Sequence, residues 1–163
     1  MPAVPTARVH GASEGATEHT LAARIAPAPV STRIACGLAA FGCLALLVVA
    51  GALRAAPEGL GTHTQLGLPA CGWHERYGVP CGTCGMTTSF SHAADGAMLS
   101  ALAAQPFGAL LALGSAVTIW LAGSVAVTGA RLGPVVGPVG RGRAVAVLAA
   151  AFAAAWLYKI AVA

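Results

Sequence analysis

The sequence predicts an all-α integral membrane protein: three transmembrane helices, with an interfacial or re-entrant amphipathic helix after a cysteine-bearing loop. Three observations carry that expectation. The 163 residues are 57% hydrophobic and only 9% charged, with a mean hydropathy of +0.77, whereas soluble domains average about 25% charged residues. Three apolar runs are each long enough for a helix, rising about 1.5 Å per residue, to cross about 30 Å of hydrocarbon. Three of the five cysteines fall together in one polar stretch between the first two runs. Once the spans are subtracted, the remaining aqueous mass is too small for a large soluble catalytic core. The formal charge is +4, but the nine Lys and Arg are scattered singly. Nucleic-acid binding needs a basic patch interleaved with aromatics, so no nucleic-acid partner is expected and the charge reads as topological.

Residues 1–33 mix Pro, Ala, Gly, Thr and scattered charges without an apolar period, which predicts a disordered N-terminal tail in which His10 and His19 are solvated. Residues 34–163 form a single membrane domain. The first span, 34–53, lies between Arg33 and Arg54. It is longer and further from the N-terminus than the apolar core of a secretory signal, so an uncleaved anchor is expected. Cys36 and Cys43 inside it read as small hydrophobes. The second span, 107–130, carries no charge and follows Pro106, a residue suited to a helix's first turn. A Gly- and Pro-broken loop with three arginines then leads to the third span, 144–163. There Trp156, Tyr158 and Lys159 read as an interfacial anchor, with the lysine snorkelling toward water. Lys159 is the one charged residue in the three spans, which speaks against an ion or substrate path of the chain's own.

Small residues recur at Gly108, Ala112 and Ala116, and at Ala146, Ala150 and Ala154. Such faces let spans pack closely on one another, on a second copy or on a membrane partner. Arg24, Arg33, Arg131, Arg141 and Arg143 outnumber Arg54 and Lys159 at the opposite ends. Positive charge collects on the cytoplasmic side, so the N-terminus is expected there and the loop 54–106 outside.

The loop carries the chemistry. Residues 69–92 read PACGWHERYGVPCGTCGMTTSFSH, in which Cys71, His74, Cys81 and Cys84 form C-x2-H-x6-C-x2-C. Four thiolate or imidazole ligands suit a tetrahedral zinc, and Gly82 and Gly85 permit the tight turn that aims two sulfurs at one ion. The connection of six residues is shorter than the twelve or so usual between zinc knuckles, so the chain must fold back through Arg76 to Pro80. Two alternatives stay open. One is a membrane thiol-disulfide oxidoreductase using Cys81 and Cys84, whose thiols precede a helix that begins near Gly85. The other is a plain disulfide from Cys71 to one of that pair.

In the next stretch, MTTSFSHAADGAMLSALAAQP, helical spacing puts Thr88, His92 and Asp95 on one face and Met86, Phe90 and Ala97 on another. This is the amphipathic helix, broken near Asp95 and Gly96 and ended at Gln105 and Pro106. A Ser, His and Asp triad is excluded because one helix cannot aim three side chains at each other. His92 reads as a polar-face residue, with a second reading as fourth metal ligand in place of His74.

Gly78–Gly108 resembles a bacterial family of small membrane proteins, the domain of unknown function 2752. The family shows C-P-x-C-G-x-T-[RT], an upstream cysteine, and an Asn-Pro or Gln-Pro pair before an apolar span. Cys71, Cys81, Cys84, Gly85, Thr87, Gln105 and Pro106 match it. Gly82 stands where the family has Pro, and Thr88 where many members have Arg, so no anion-binding arginine carries over. The resemblance implies a membrane location and points to the cysteines, without an activity. The combined expectation is a non-enzymatic multi-pass membrane protein whose loop binds a structural divalent metal, zinc. The rivals are the oxidoreductase and a subunit or scaffold of a larger membrane assembly.

Overall fold

The computed structural model describes residues 27–130 and 141–162, and helices and turns are the regular structure among them. The tail with His10, His19 and Arg24, and the loop residue Arg131, lie outside the described residues. In chain order come α1 (Val30–Ala52), a 3₁₀ turn (Thr62–Leu66), α2 (Gly72–Tyr77), α3 (Met86–Ala94), α4 (Met98–Ala104), α5 (Pro106–Thr128) and α6 (Arg141–Val162). Three of these, α1, α5 and α6, are long and apolar enough to cross a membrane. Their outward surfaces carry large apolar side chains such as Phe41, Leu113 and Val147, as a bilayer solvent requires. Among the described residues the protein is all-helical, with three helices fit to span a membrane.

The first span starts at Val30, four residues before the run that Arg33 seemed to delimit. Arg33 is inside the helix because its side chain has partners. It lies across the end of α5, donating from Nε to the Ala126 carbonyl and from Nη2 to the Val127 carbonyl, both at 3.0 Å. The last carbonyls of a helix lack intrahelical donors and carry the negative end of the dipole, so a guanidinium there is doubly favourable. Gly129 closes the same end at φ +72° and accepts from the Ala28 amide at 2.8 Å. Replacing Arg33 with Met is expected to cost about 1–2 kcal/mol, read as a lowered thermal midpoint of the detergent-solubilised chain.

Helices α1 and α5 pair most extensively, and α3 packs against both and against α4. Of the stripe on α5, Gly108 and Ala112 are buried and Ala116 is half-buried. A Cβ at Gly108 would lie 2.9 Å from that of Ser89, so the glycine is what lets α3 approach. The α3–α4 hairpin is re-entrant: Ala93, Ala94 and Met98 line a small cavity with Leu47, Val48 and Ala116. Ala116 lies ten residues into α5, about 15 Å along its axis.

The hairpin's amphipathicity is turned inside out. Thr88, Ser89 and Ser91 are buried, and Leu99 is 84% exposed. Thr88 and Thr62 share a hydrogen bond at 2.8 Å, Ser89 donates to the Ala101 and Gln105 carbonyls, and Ser91 donates to the Leu53 carbonyl. In lipid the hydroxyls must find partners within the protein, while leucine needs none.

The third span departs most from expectation. Its stripe of Ala146, Ala150 and Ala154 is exposed, and α6 makes few contacts with α5. What seats it is larger. The Phe152 ring meets Phe107 edge-on at 5.4 Å, Trp156 donates to the Pro80 carbonyl at 3.1 Å, and Tyr158 donates to the Ala103 carbonyl at 3.2 Å. Lys159 does not snorkel; it is 5% exposed and donates to the Gly59 carbonyl at 3.4 Å. The two aromatics read as part of an interfacial anchor thus both bond to the segment 54–106.

Candidate metal centre

The segment from Cys71 to Gly85 is a short helix followed by a tight turn. Cys71 is the N-cap of α2, which Gly78 ends in the left-handed region at φ +69°. That stop returns the chain toward its start, and the nine residues between Cys71 and Cys81 are enough to bring their sulfurs together. Pro80 is buried, and its carbonyl accepts from the Trp156 indole. The Cys81 carbonyl then accepts from the Cys84 amide at 3.0 Å, and the Thr83 carbonyl from the Met86 amide at 3.1 Å, so the turn runs straight into α3.

The turn is anchored from below by Gln105. This side chain is fully buried, caps α5 by accepting from the Gly108 amide at 2.8 Å, and donates to the Gly82 carbonyl at 3.3 Å. Gly82 has a steric role as well: a Cβ there would sit 2.6 Å from the Phe152 ring. Thr88, in the position of the family arginine, is spent on Thr62.

The three sulfurs converge. Cys81 Sγ and Cys84 Sγ are 3.1 Å apart, Cys84 donates to Cys71 Sγ at 3.3 Å, and all three lie within 4.8 Å of one another. All are free thiols. Zinc–sulfur bonds of about 2.3 Å would set tetrahedral sulfurs about 3.8 Å apart, so seating a shared ion asks the pairs at 3.1 and 3.3 Å to open slightly. His74 is exposed on α2 and stands outside this group. His92 is half-buried on α3 and is also outside it. The structure brings together three of the four residues read as ligands.

The thiols are unequal. Burial pushes Cys81 up, but hydrogen bonds from Thr83 and Cys84 outweigh it and bring the group down to about 7. Burial, then the hydrogen bonds toward Cys81 and Cys71, push Cys84 up to about 12. In metal-free protein, alkylation of Cys81 should rise with pH through a midpoint near 7, because the thiolate is the nucleophile. Cys84 should stay unmodified to high pH. Mass spectrometry of the labelled chain reads both.

The cluster lies on the wall of a pocket of about 900 Å³ bounded by α1, the 3₁₀ turn and α3, with Leu46, Val49, Leu68 and Phe90 on its apolar side. His63 lines it too, with Nε2 3.1 Å from the Pro69 carbonyl. An imidazole that donates from one nitrogen keeps the other as an acceptor. Nothing in the spacing of THTQ singled out His63, and Lys159, 75 residues beyond Cys84, carried no sign of reaching the turn.

No curated protein and no solved structure matches the chain. Residues 71–119 match the model of a family described as a protein of unknown function, DUF2752. Over the stretch that holds all three sulfurs, the re-entrant hairpin and the opening half of α5, the chain is thus similar to the DUF2752 family.

Proposed function

We propose that this small multi-pass membrane protein uses Cys71, Cys81 and Cys84 to hold a divalent metal, zinc by the softness of the donors, and that the ion organises the loop against the spans. The observation that carries the reading is the convergence of three thiols within 4.8 Å. Thiolates select zinc over oxygen-seeking cations. Three protein ligands leave a fourth position, which His74, three residues beyond Cys71, or the pocket-lining His63 fills if its ring turns toward the sulfurs; otherwise it takes an external ligand. The test is metal per chain in detergent-purified protein. One ion per chain is expected, abolished by Cys71→Ser; a metal-free wild type after purification in zinc rejects the reading. His74→Ala and His63→Ala, assayed alike, identify which imidazole closes the site.

The inequality of Cys81 and Cys84 supports a second reading, a membrane thiol-disulfide oxidoreductase. The Cys81 thiolate attacks a partner's disulfide, forming a mixed disulfide and releasing one partner thiolate. The Cys84 sulfur, losing its proton, then attacks Cys81, closes the Cys81–Cys84 disulfide and releases the second partner thiolate. Two electrons pass to the partner. Cys84→Ala should trap the mixed disulfide on a non-reducing gel. The count of positive charges supports an extracytoplasmic loop, and labelling of Cys81 in intact cells by an impermeant maleimide after chelation tests that orientation.

A further inference from the structure

Lys159 is an ammonium in a transmembrane helix, 5% exposed, whose hydrogen-bond partner is the Gly59 carbonyl at 3.4 Å. Such a group is costly unless an anion lies near, and intramembrane charges mark functional sites for that reason. The neighbouring backbone shows where this one is aimed. A Cβ at Gly59 would be 3.2 Å from Lys159 Nζ, and a Cβ at Gly85, the residue after Cys84, would be 3.4 Å from Lys159 Cε. The side chain therefore runs over the end of the cysteine turn, one residue from Cys84 of the three-sulfur cluster.

A divalent ion on three thiolates keeps one negative charge, provided its fourth ligand is neutral. We infer that Lys159 is the counter-cation of the three-sulfur centre, and that metal loading and the seating of the third span are consequently one linked equilibrium. This rests on the metal reading above. The geometry of α6 fits it, because three of the contacts that seat the helix are on the loop: Phe152 over Gly82, Trp156 on Pro80 and Lys159 on Gly59. Loss of the ion removes the anion that holds the ammonium in place. Loss of the ammonium leaves a charged centre in an apolar setting. By linkage each strengthens the other to the same degree.

The test is zinc affinity of the detergent-purified full chain, measured by competition with a chromophoric chelator. Lys159→Met should weaken binding about 10–100-fold, the loss seen when outer partners of metal ligands are removed. Lys159→Arg, which keeps the charge, should stay within a few-fold of wild type. Trp156→Phe is the control: it removes a hydrogen bond between the same helix and loop but no charge, and should change affinity little. Wild-type affinity in Lys159→Met, or equal losses in Lys159→Met and Trp156→Phe, overturns the inference. An affinity in Lys159→Arg as weak as in Lys159→Met does the same. A wild type that binds no zinc instead defeats the metal reading itself, so the two failures are distinct.

Discussion

Cys84→Ser is expected to abolish stoichiometric metal and to lower the thermal midpoint of the zinc-loaded chain to that of chelated wild type. Structural zinc contributes folding free energy of order 10 kcal/mol. Within the segment from Arg54 to Gly85, α2 contributes no buried residue, and the rest is held by single hydrogen bonds such as Thr62 to Thr88 and Trp156 to Pro80. The sulfur of Cys84 is the hub, within 3.1 Å of Cys81 Sγ and 3.3 Å of Cys71 Sγ, and is the buried member of the three. Serine retains the shape and a hydrogen-bonding atom but is a poor ligand for a soft ion, so the substitution separates coordination from packing. In chelated protein the variant and the wild type should therefore melt within about 1 kcal/mol of each other, the net worth of an ordinary hydrogen bond. Equal midpoints with zinc present would falsify the structural role of the ion. Accumulation of mixed disulfides in the same variant would favour thiol exchange.

Gly85→Ala is the second large effect. Gly85 has φ +84°, and a Cβ there would meet the Gly59 carbonyl oxygen at 2.9 Å and the Ala104 carbonyl oxygen at 3.0 Å. The left-handed conformation alone costs an alanine about 1–2 kcal/mol. Both obstacles are backbone, one in the loop and one at the end of α4, so neither yields by a side-chain rotation. The combined loss should reach about 3 kcal/mol or more, among the severe single substitutions. The prediction is a chain that inserts but is digested rapidly in the loop by added protease, whether or not zinc is present. Gly72→Ala, where a Cβ meets nothing within 4 Å, is the matched control.

What the sequence disclosed and what it hid divide along physical lines. The spans were visible because twenty uncharged apolar residues have one use in a bilayer, and the three sulfurs because cysteines cluster in sequence for few reasons. The break at Gly96, with φ +78°, and the cap at Gln105 were local signals too. Contacts between distant residues were not visible. Arg33 read as a boundary charge since nothing marks its partners at residues 126 and 127, and Lys159 read as a snorkelling lysine because its neighbours are Gly59 and Gly85. The burial of Thr88, Ser89 and Ser91 inverted a rule suited to water, where hydroxyls face out. His74 looked like a ligand by spacing alone, but a six-residue helix turns its ring outward.

The inward-facing hydroxyls of the re-entrant hairpin bear on biogenesis. Ser91 finds its acceptor on a residue made before it, whereas Ser89 relies on the carbonyls of Ala101 and Gln105, and the α5 wall at Gly108 is made later still. A segment emerging from the ribosome ahead of its partners has no low-energy place within the hydrocarbon. Burial of the Ser89 hydroxyl is therefore expected to follow synthesis of residues 101–105, whose carbonyls it uses.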